Sequence, residues 1–540
     1  MSSLNNFAEY VKDPDYKKKL APKKFKREIR MPLGYGKKQI DERWKVITGN
    51  NKKYSEWMKE NEAELSISAL HQKDVKSELL DEDSMERSDI YKNNIENYIG
   101  TVKVPVAIAG PVRVNGVHAN GDFFIPLATT EAALVASIAR GVSCINQSGG
   151  ATAVTVQQAT NRDPIFIFDS ISSLGEFVVW AQEHEKDFKR VAESTTSVGK
   201  LKEIRYIIEG PDLHMRCQYF TGDASGQNMV TLATEKIVEY VRQNAPVQPL
   251  ECFLDGNMSG DKKASACAHQ NVRGRKVVVE VTIPKEVCKR VLHCSPEMIC
   301  RNAGIASRGL ALNGSISQNL HLSNAYTALS IATGQDPACA AEAHVGIGRC
   351  ELTKNGDVFT ALTLPNLLCA TVGGGTKLPS QLACLKIMGL AGSGKANAFA
   401  EVMGVVMLAG EISLGAAICS EDFAKAHKLL ARGVETSEIT ESDSLEDQFT
   451  KVQSLLVKLE NMPSKDEILQ VYGLYKQATT GDINISKPAM FSFDLKAKAK
   501  YSAWKKLRGV PKEDAKKQYI EFVLNLHKKS NSQKNTETKA

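Results

Sequence analysis

The chain has 540 residues, 42% hydrophobic and 24% charged, which is longer than one compact core can use and points to about two to four domains. Its net charge of +7 is mild, and clusters such as Lys17-Lys18-Lys19, Lys23-Lys24 and Lys516-Lys517 are not interleaved with aromatics. Nucleic acid is therefore excluded as an expected partner, whereas polyanionic small molecules are not. The 12 cysteines lack the spacings of a disulfide framework and suit a reducing compartment. No apolar signal segment, lipidation motif or peroxisomal address is present, so a cytoplasmic protein with no transmembrane segment is expected.

Residues 1–92 are charged and irregular, with helical periodicity from Asp41 to Leu80, and read as a helical cap on the large domain. Residues 93–163 and 254–432 form that expected large domain, in which Val/Ile-rich runs alternate with Gly/Pro turns. Within it the Ala-rich segment Thr129 to Arg140 reads as a buried helix. Residues 164–253 read as a small α+β insertion, with strand-like pieces at Pro164 to Phe168, Ile204 to Glu209 and Leu213 to Tyr219. Cys288 to Cys300 reads as one amphipathic helix after Pro284; its Cys and His intervals are not those of zinc sites, and no metal is expected. Val402 to Cys419 is strongly apolar but contains Glu411, Ser413 and glycines, which favours a buried helix over a membrane span. Residues 433–447, rich in Glu, Asp, Ser and Thr, read as a linker. Residues 448–530 read as a compact Lys-rich helical unit, and residues 531–540 as a tail without structure.

Four segments place charges in apolar, Gly/Ala-rich surroundings: Pro126 to Glu131, Gly260-Asp261-Lys262-Lys263, Gly334-Gln335-Asp336 and Phe423 to His427. Two Gly-rich turns, Gly222 to Asn228 and Thr371 to Thr376, accompany them and would let main-chain N–H groups approach phosphates. Each has a bland reading: Glu131 and Asp336 as helix caps, Lys262 as a snorkelling surface residue, His427 as an ordinary surface or core histidine. Burying a charge is costly unless it is paired, so several such sites in one domain point to convergence on an active site.

In this order, and with Glu96 to Gly100, Pro105 to Pro111, Arg273-Gly274-Arg275-Lys276 and Thr363 to Gly389, the segments closely resemble the catalytic region of the HMG-CoA reductase family, in its eukaryotic type. The resemblance runs from about residue 90 to 432. It implies a mixed α/β (α+β) fold: a large substrate domain with a small ferredoxin-like cofactor-binding insertion. The implied reaction is reduction of 3-hydroxy-3-methylglutaryl-CoA to mevalonate and CoA with two NADPH, NADH being the alternative. The implied catalytic residues are Glu131 (proton donor), Lys262 (oxyanion stabiliser), Asp336 (partner of both) and His427 (proton donor to the CoA thiolate). Arg162, Asp261, Lys263, His321 and Asn324 fall at substrate-binding positions. Asp223, Ala224, Ser225, Gly226, Gln227 and Asn228, with Gly373 and Gly374, fall at cofactor-binding positions. The family builds its site between subunits, so a homodimer or homotetramer is implied. Three positions depart from the pattern: Asp255 replaces a substrate-contacting serine, Thr196-Ser197 lacks the arginine that reads a 2′-phosphate (Lys200 and Arg432 being candidates to replace it), and Gly433 replaces a regulatory serine.

A second resemblance, to the acyl-CoA-binding protein family of four-helix bundles, is carried by Tyr472 to Thr479, Gly481 to Asn484, Lys498 to Tyr501, Ala503-Trp504, Lys512 to Ala515 and Tyr519-Ile520. It implies that Tyr472, Tyr475, Lys476, Lys500 and Tyr519 contact a long-chain acyl-CoA, tyrosines stacking on adenine and lysines neutralising phosphates. The rival readings are a catalytically inactive acyl-CoA sensor and a reductase running with NAD toward mevalonate degradation.

Overall fold

The computed structural model describes residues 36–48, 50–60, 72–420, 443–457, 463–485 and 495–537, with residues 12, 14, 31–33 and 459 beside them. The strands are β1 (Val106–Gly116), β2 (Asn120–Ala128), β3 (Ala151–Arg162), β4 (Ile165–Ile167), β5 (Lys200–Glu209), β6 (Asp212–Phe220), β7 (Glu251–Phe253), β8 (Gly274–Ile283), β9 (Ile347–Leu352) and β10 (Val358–Leu367). The N-terminal helices are α1 (Lys37–Ile47), α2 (Lys52–Glu60), α3 (Gln72–Leu79) and α4 (Glu82–Glu86). Next come α5 (Leu134–Gln147), α6 (Ile171–Glu183), α7 (Glu185–Glu193), α8 (Gln227–Asn244), α9 (Pro296–Leu312), α10 (Leu322–Thr333), α11 (Pro379–Ile387) and α12 (Ala396–Cys419). The last four are α13 (Leu445–Val457), α14 (Lys465–Thr479), α15 (Leu495–Lys505) and α16 (Lys512–Glu537).

Helix α1 buries Ile40, Arg43, Trp44 and Val46, the spacing of an amphipathic helix. Buried Arg43 donates to the carbonyls of Pro32 and Tyr98 at 2.8 Å each, and the Trp44 indole donates to Ile99 O at 2.9 Å. The Glu96 to Gly100 stretch is thus the ledge on which the N-terminal helices dock. At Gly100 (φ +151°) a Cβ would lie 2.2 Å from the Leu79 carbonyl oxygen, so a side chain has no room there.

The large sheet has the order β2-β1-β3-β8-β10-β9, with β1 and β3 parallel and the other neighbours antiparallel. Helix α12 packs on it and against α5 and is apolar nearly all round, as a buried helix should be. It is long and apolar enough to cross a membrane, yet 67% of its most apolar window is buried within the fold. Its two carboxylates serve backbone groups. Glu401 accepts from His118, Ala119 and Thr155 N–H at 2.8, 2.8 and 3.0 Å. Glu411 accepts from Leu320 and His321 N–H at 2.7 Å each.

The small domain runs β4-α6-α7-β5-β6-α8-β7, and its antiparallel sheet has the order β7-β4-β6-β5, the ferredoxin-like arrangement. Its own core contains Phe166, Phe177, Phe188, Met215, Val230 and Ile237. The chain enters it directly from β3 through Asp163-Pro164, and the end of β3 also pairs with β6. Asp163 is fully buried at this junction, accepting from Arg216 Nε and Asn161 Nδ2 at 2.8 Å each. Burial pushes its carboxyl up, against the pull of the Arg216 guanidinium.

Several boundaries differ from the expectation. Helix α5 begins at Leu134, not Thr129, because Ala133 is left-handed (φ +72°) and ends the preceding loop. Glu131 therefore sits in a loop, not at a helix start. Cys288 to Cys300 is not one helix: a π-turn at Cys288–Leu292 stops at left-handed His293 (φ +54°). A new helix then starts at Pro296, capped by Ser295, whose hydroxyl accepts from Met298 N–H. In the C-terminal bundle α13 starts at Leu445, inside the expected linker, and α16 runs to Glu537, past residue 530. Nothing in Ser530 to Glu537 breaks a helix, since the stretch has neither Pro nor Gly. The bundle core is built from Phe449, Val452, Leu455, Leu474, Tyr519 and Val523.

Candidate active site

The loop after β7 turns tightly at Gly260 to Lys263, with Lys263 N–H donating to Gly260 O at 3.1 Å. Gly260 (φ +76°) and Lys262 (φ +57°) are both left-handed. For a lysine this costs about 1–2 kcal/mol. The Lys262 main-chain N–H donates to Glu342 Oε1 at 2.7 Å, and its Nζ lies 2.8 Å from Asp336 Oδ2. Asp336 Oδ1 meanwhile accepts from Ala338 N–H at 3.0 Å, so this residue is a cap and a lysine partner at once. Asp336 holds the Lys262 ammonium above its ordinary range. Burial works to raise Asp336, but Lys262 and the Ala338 N–H outweigh it and hold that carboxyl below its usual range.

Behind the lysine, Arg273 is almost wholly buried. Its Nη2 donates to Asp261 Oδ1 at 2.6 Å and to Gln227 Oε1 at 3.0 Å, and its Nη1 donates to Asn161 O at 3.1 Å. Its Nε forms an ion pair with Glu342 Oε2 at 2.9 Å, at an angle too poor for a hydrogen bond. Burial pushes the Glu342 carboxyl up, against Arg273 and the Lys262 N–H. Arg162 pairs with Asp255 through Nη1 and lies 3.7 Å from Asp261 through Nη2. Asp255, where the resembled pattern has serine, is thus the arginine's counter-ion in this chain.

The Gly-rich turns close around the same point. Gln335 exchanges two hydrogen bonds with Ala370, donating to its carbonyl at 3.0 Å and accepting from its N–H at 2.7 Å. A Cβ on Gly334 would lie 2.3 Å from Gly375 O, so the Asp336 segment and the Thr371 to Thr376 turn touch backbone to backbone. Gly373 and Gly374 are left-handed, and a Cβ on either would meet nothing within 4 Å. Asp223 is committed to structure: its carboxylate accepts from Gly394 and Ala396 N–H at 2.7 and 3.1 Å, at the start of α12. Its carbonyl accepts from Thr371 N–H. Ser225 O accepts from Thr160 Oγ1, and left-handed Gly226 opens α8, whose first N–H groups, from Gln227 and Asn228, have no acceptor within the helix.

The other expected residues are distributed around this centre and beyond it. Glu131 is exposed, its N–H held by Thr129 Oγ1, and Ala128 just before it packs with Ala332, just before Asp336. Lys263 is exposed and donates to Asp261 O. His321 precedes α10, its N–H held by Glu411, and Asn324 N–H donates to His321 O. These bonds tie both residues to α10 and α12, not to the Lys262 turn. Lys200 is paired with Glu193 at 2.9 Å. His427, Arg432 and Gly433 lie outside the described residues. A cavity of about 250 Å³, walled by Ile299, Cys300, Asn319, Leu408 and Glu411, holds none of the expected catalytic residues. Sequence reading missed Glu342, and it named Glu411 only as a charge that disfavours a membrane span. The available signal was the same in both cases, a lone carboxylate within an apolar, Ala/Gly-rich helical stretch.

In the C-terminal bundle, Ser464 and Glu467 form a reciprocal cap that starts α14. Lys500 Nζ stands 5.0 Å from the Tyr472 ring centre and Lys476 Nζ stands 5.7 Å from that of Trp504. Tyr475 is partly exposed and stacks near Phe449, with ring centres 6.2 Å apart. Tyr519 is 2% exposed, packed on Phe449 at 4.9 Å. It therefore supports the Tyr475 face from inside the bundle.

Residues 59–432 match the hydroxymethylglutaryl-coenzyme A reductase family, and residues 446–523 match the acyl CoA binding protein family. The 3-hydroxy-3-methylglutaryl-coenzyme A reductase of Pyrococcus horikoshii is 39% identical over 357 residues, covering 65% of this chain and 86% of that protein. That of Methanothermobacter thermautotrophicus is 40% identical over 361 residues, covering 66% and 90%. The structure of the class II enzyme from Streptococcus pneumoniae bound to NADPH, 19% identical, superposes with a TM-score of 0.50 over 69% of this chain and 99% of its own, which shows a shared fold. The chain thus belongs to the HMG-CoA reductase family of oxidoreductases, which use a nicotinamide cofactor, and it carries an acyl-CoA-binding domain at its C-terminal end.

Proposed function

We propose that this chain reduces 3-hydroxy-3-methylglutaryl-CoA to mevalonate and CoA, consuming two NADPH and two protons. The observation that carries the reading is the Lys262–Asp336 pair at 2.8 Å on a left-handed turn, with the lysine side chain half exposed. A thioester carbonyl gains negative charge on oxygen as it is reduced, and a fixed ammonium lowers the energy of that charge. Asp336 orients the ammonium and keeps it charged. Glu131 supplies a proton to the substrate oxygen, and His427 protonates the departing CoA thiolate. Arg162, Asp261, Lys263, His321 and Asn324 form the substrate side. Arg162 must exchange Asp255 for the substrate carboxylate, which bidentate pairing favours.

A nicotinamide dinucleotide, when bound, supplies the hydride for each of the two reduction steps. The turn suits it: Ser225, Gly226 and Asn228 at the head of α8 offer main-chain donors to phosphates, and the adjoining Gly373 and Gly374 have open space, whereas the Ala224 N–H is taken by Thr221 O at 3.4 Å. Asp223 and Gln227 hold the turn itself. Lys200, paired with Glu193 in an exposed ion pair, would have to exchange that partner for a 2′-phosphate, so NADH is tested beside NADPH. Helix α9 buries only Pro296 and leaves Met298, Ile305 and Leu312 exposed, an apolar face that supports a homodimer or homotetramer.

The test is absorbance at the nicotinamide band with purified protein and HMG-CoA. Oxidation of about two cofactors per substrate supports the reading, since a thioester-to-alcohol reduction takes two hydrides. No turnover with either cofactor, while acyl-CoA still binds, would favour the sensor. For the C-terminal domain, replacing both Lys476 and Lys500 by alanine is expected to weaken acyl-CoA binding about tenfold or more through lost phosphate charges. Titration calorimetry with palmitoyl-CoA would check it, and unchanged affinity would remove these lysines from the site.

A further inference from the structure

We propose that Glu342 is a positioning residue that fixes the Lys262 amine at the reacting carbonyl by holding the lysine's own main chain. The inference rests on the reading of Lys262 as the group that stabilises the developing oxyanion. Its first support is the backbone: Lys262 has φ +57°, a conformation a non-glycine residue keeps only where its surroundings enforce it. The enforcing contact is the Lys262 N–H to Glu342 Oε1 bond at 2.7 Å, made across 80 positions of sequence and so not part of the local turn.

The second support is where Glu342 stands. The turn Pro337–Cys339, capped by Asp336, leads directly into the helical turn Ala340–Ala343 that carries Glu342. Asp336 and Glu342 are thus the two ends of one short helical run. One end holds Lys262 Nζ and the other holds Lys262 N–H. A single rigid element grips the lysine at both ends, so any shift of that element carries backbone and amine together.

The third support is Arg273. It is 5% exposed, and it faces Glu342 Oε2 at 2.9 Å and Asp261 Oδ1 at 2.6 Å. It therefore anchors the two residues that bracket the lysine turn, Glu342 by its carboxylate and Asp261 from within the turn. The same Nη2 also donates to Gln227, whose amide lies 3.5 Å from Cys339 Sγ in the helical run. This places the expected cofactor turn in register with the lysine.

The experiment compares Glu342→Ala and Glu342→Gln in the full chain. A misplacement of about 1 Å in a catalytic group can cost on the order of 10²-fold, so Glu342→Ala is expected to lose about 100-fold in kcat with KM for HMG-CoA nearly unchanged. Glu342→Gln keeps the accepting oxygen and is expected to recover most of that rate. Independently of turnover, acylation of the Lys262 amine by acetic anhydride, followed by peptide mapping, reports the strength of its pairing. The groups facing this amine are Asp336, Asp261 and Cys339. In Glu342→Ala the labelling curve is expected to move to lower pH as the Asp336 pair loosens, and in Glu342→Gln to stay put. Urea midpoints of both variants show that the chain is folded. A labelling curve and kcat both unchanged in Glu342→Ala would overturn the proposal. So would a folded Glu342→Gln as impaired as Glu342→Ala. Wild-type protein that fails to turn over HMG-CoA would instead sink the functional reading, and the labelling curve would still decide whether Glu342 positions Lys262.

Discussion

Lys262→Ala is expected to lower kcat for HMG-CoA reduction by about 10²–10³-fold, the loss seen when one preorganised partner of a developing oxyanion is removed. Alanine tolerates the left-handed backbone no better than lysine does, so the turn itself is not relaxed by the change. Steady-state assay and direct binding of HMG-CoA separate the outcomes: binding retained with the rate lost fits the assignment, and a rate within about threefold of wild type would end it. The pH profile should follow the same pair. Asp336 sits below its ordinary range, so the pair persists as pH falls past about 4 and is lost only as pH drops through that depressed value. Lys262 sits above its ordinary range, so on the alkaline side the pair is complete below about 10.4 and is lost as pH rises through the raised value. The pair's contribution to stability has the same window, and because both side chains are more than a third exposed it is small. In Asp336→Asn the alkaline limb of kcat should move to lower pH, which a kcat titration would read directly.

Arg273→Met is expected to destabilise the fold by about 3–5 kcal/mol, because removing the guanidinium leaves the buried Glu342 carboxylate without its counter-ion. Glu342 is 2% exposed and gains no cation in exchange, whereas Asp261, 22% exposed, keeps Arg162 at 3.7 Å. Urea denaturation at pH 7 measures the loss. The deficit should shrink as the pH is lowered, because burial already pushes the Glu342 carboxyl up and a proton can replace the missing guanidinium. Adding Glu342→Gln to Arg273→Met should recover part of the loss for the same reason. A single variant as stable as wild type would show that the cluster contributes no net stability.

The chemistry of the site was legible in the sequence wherever a charge broke an apolar, Gly/Ala-rich run. Lys262 and Asp336 stand out on that ground, and the structure joins them at 2.8 Å. The strand-helix order of the small domain was legible from its strand-like pieces between Pro164 and Phe253, and the C-terminal unit from its Lys-rich helical composition and its resemblance to a four-helix family. Helix starts were less so. A left-handed residue such as Ala133 or His293 leaves no mark in composition, because any side chain can be forced there by its surroundings. Three partnerships depend wholly on tertiary structure. Asp255 reads as a lost substrate contact until Arg162 is found beside it. Asp223 reads as a cofactor ligand until the Gly394 and Ala396 N–H groups, at the entrance to α12, are found on its two oxygens. Glu342, between alanines, has no periodicity to mark it, and only the fold brings it to the Lys262 N–H. Sequence by itself determined which residues had to find partners, since burying a charge alone is prohibitive. Which partner each one took was decided by the tertiary structure, because ion pairs and backbone contacts depend on distances between segments that lie far apart in the chain.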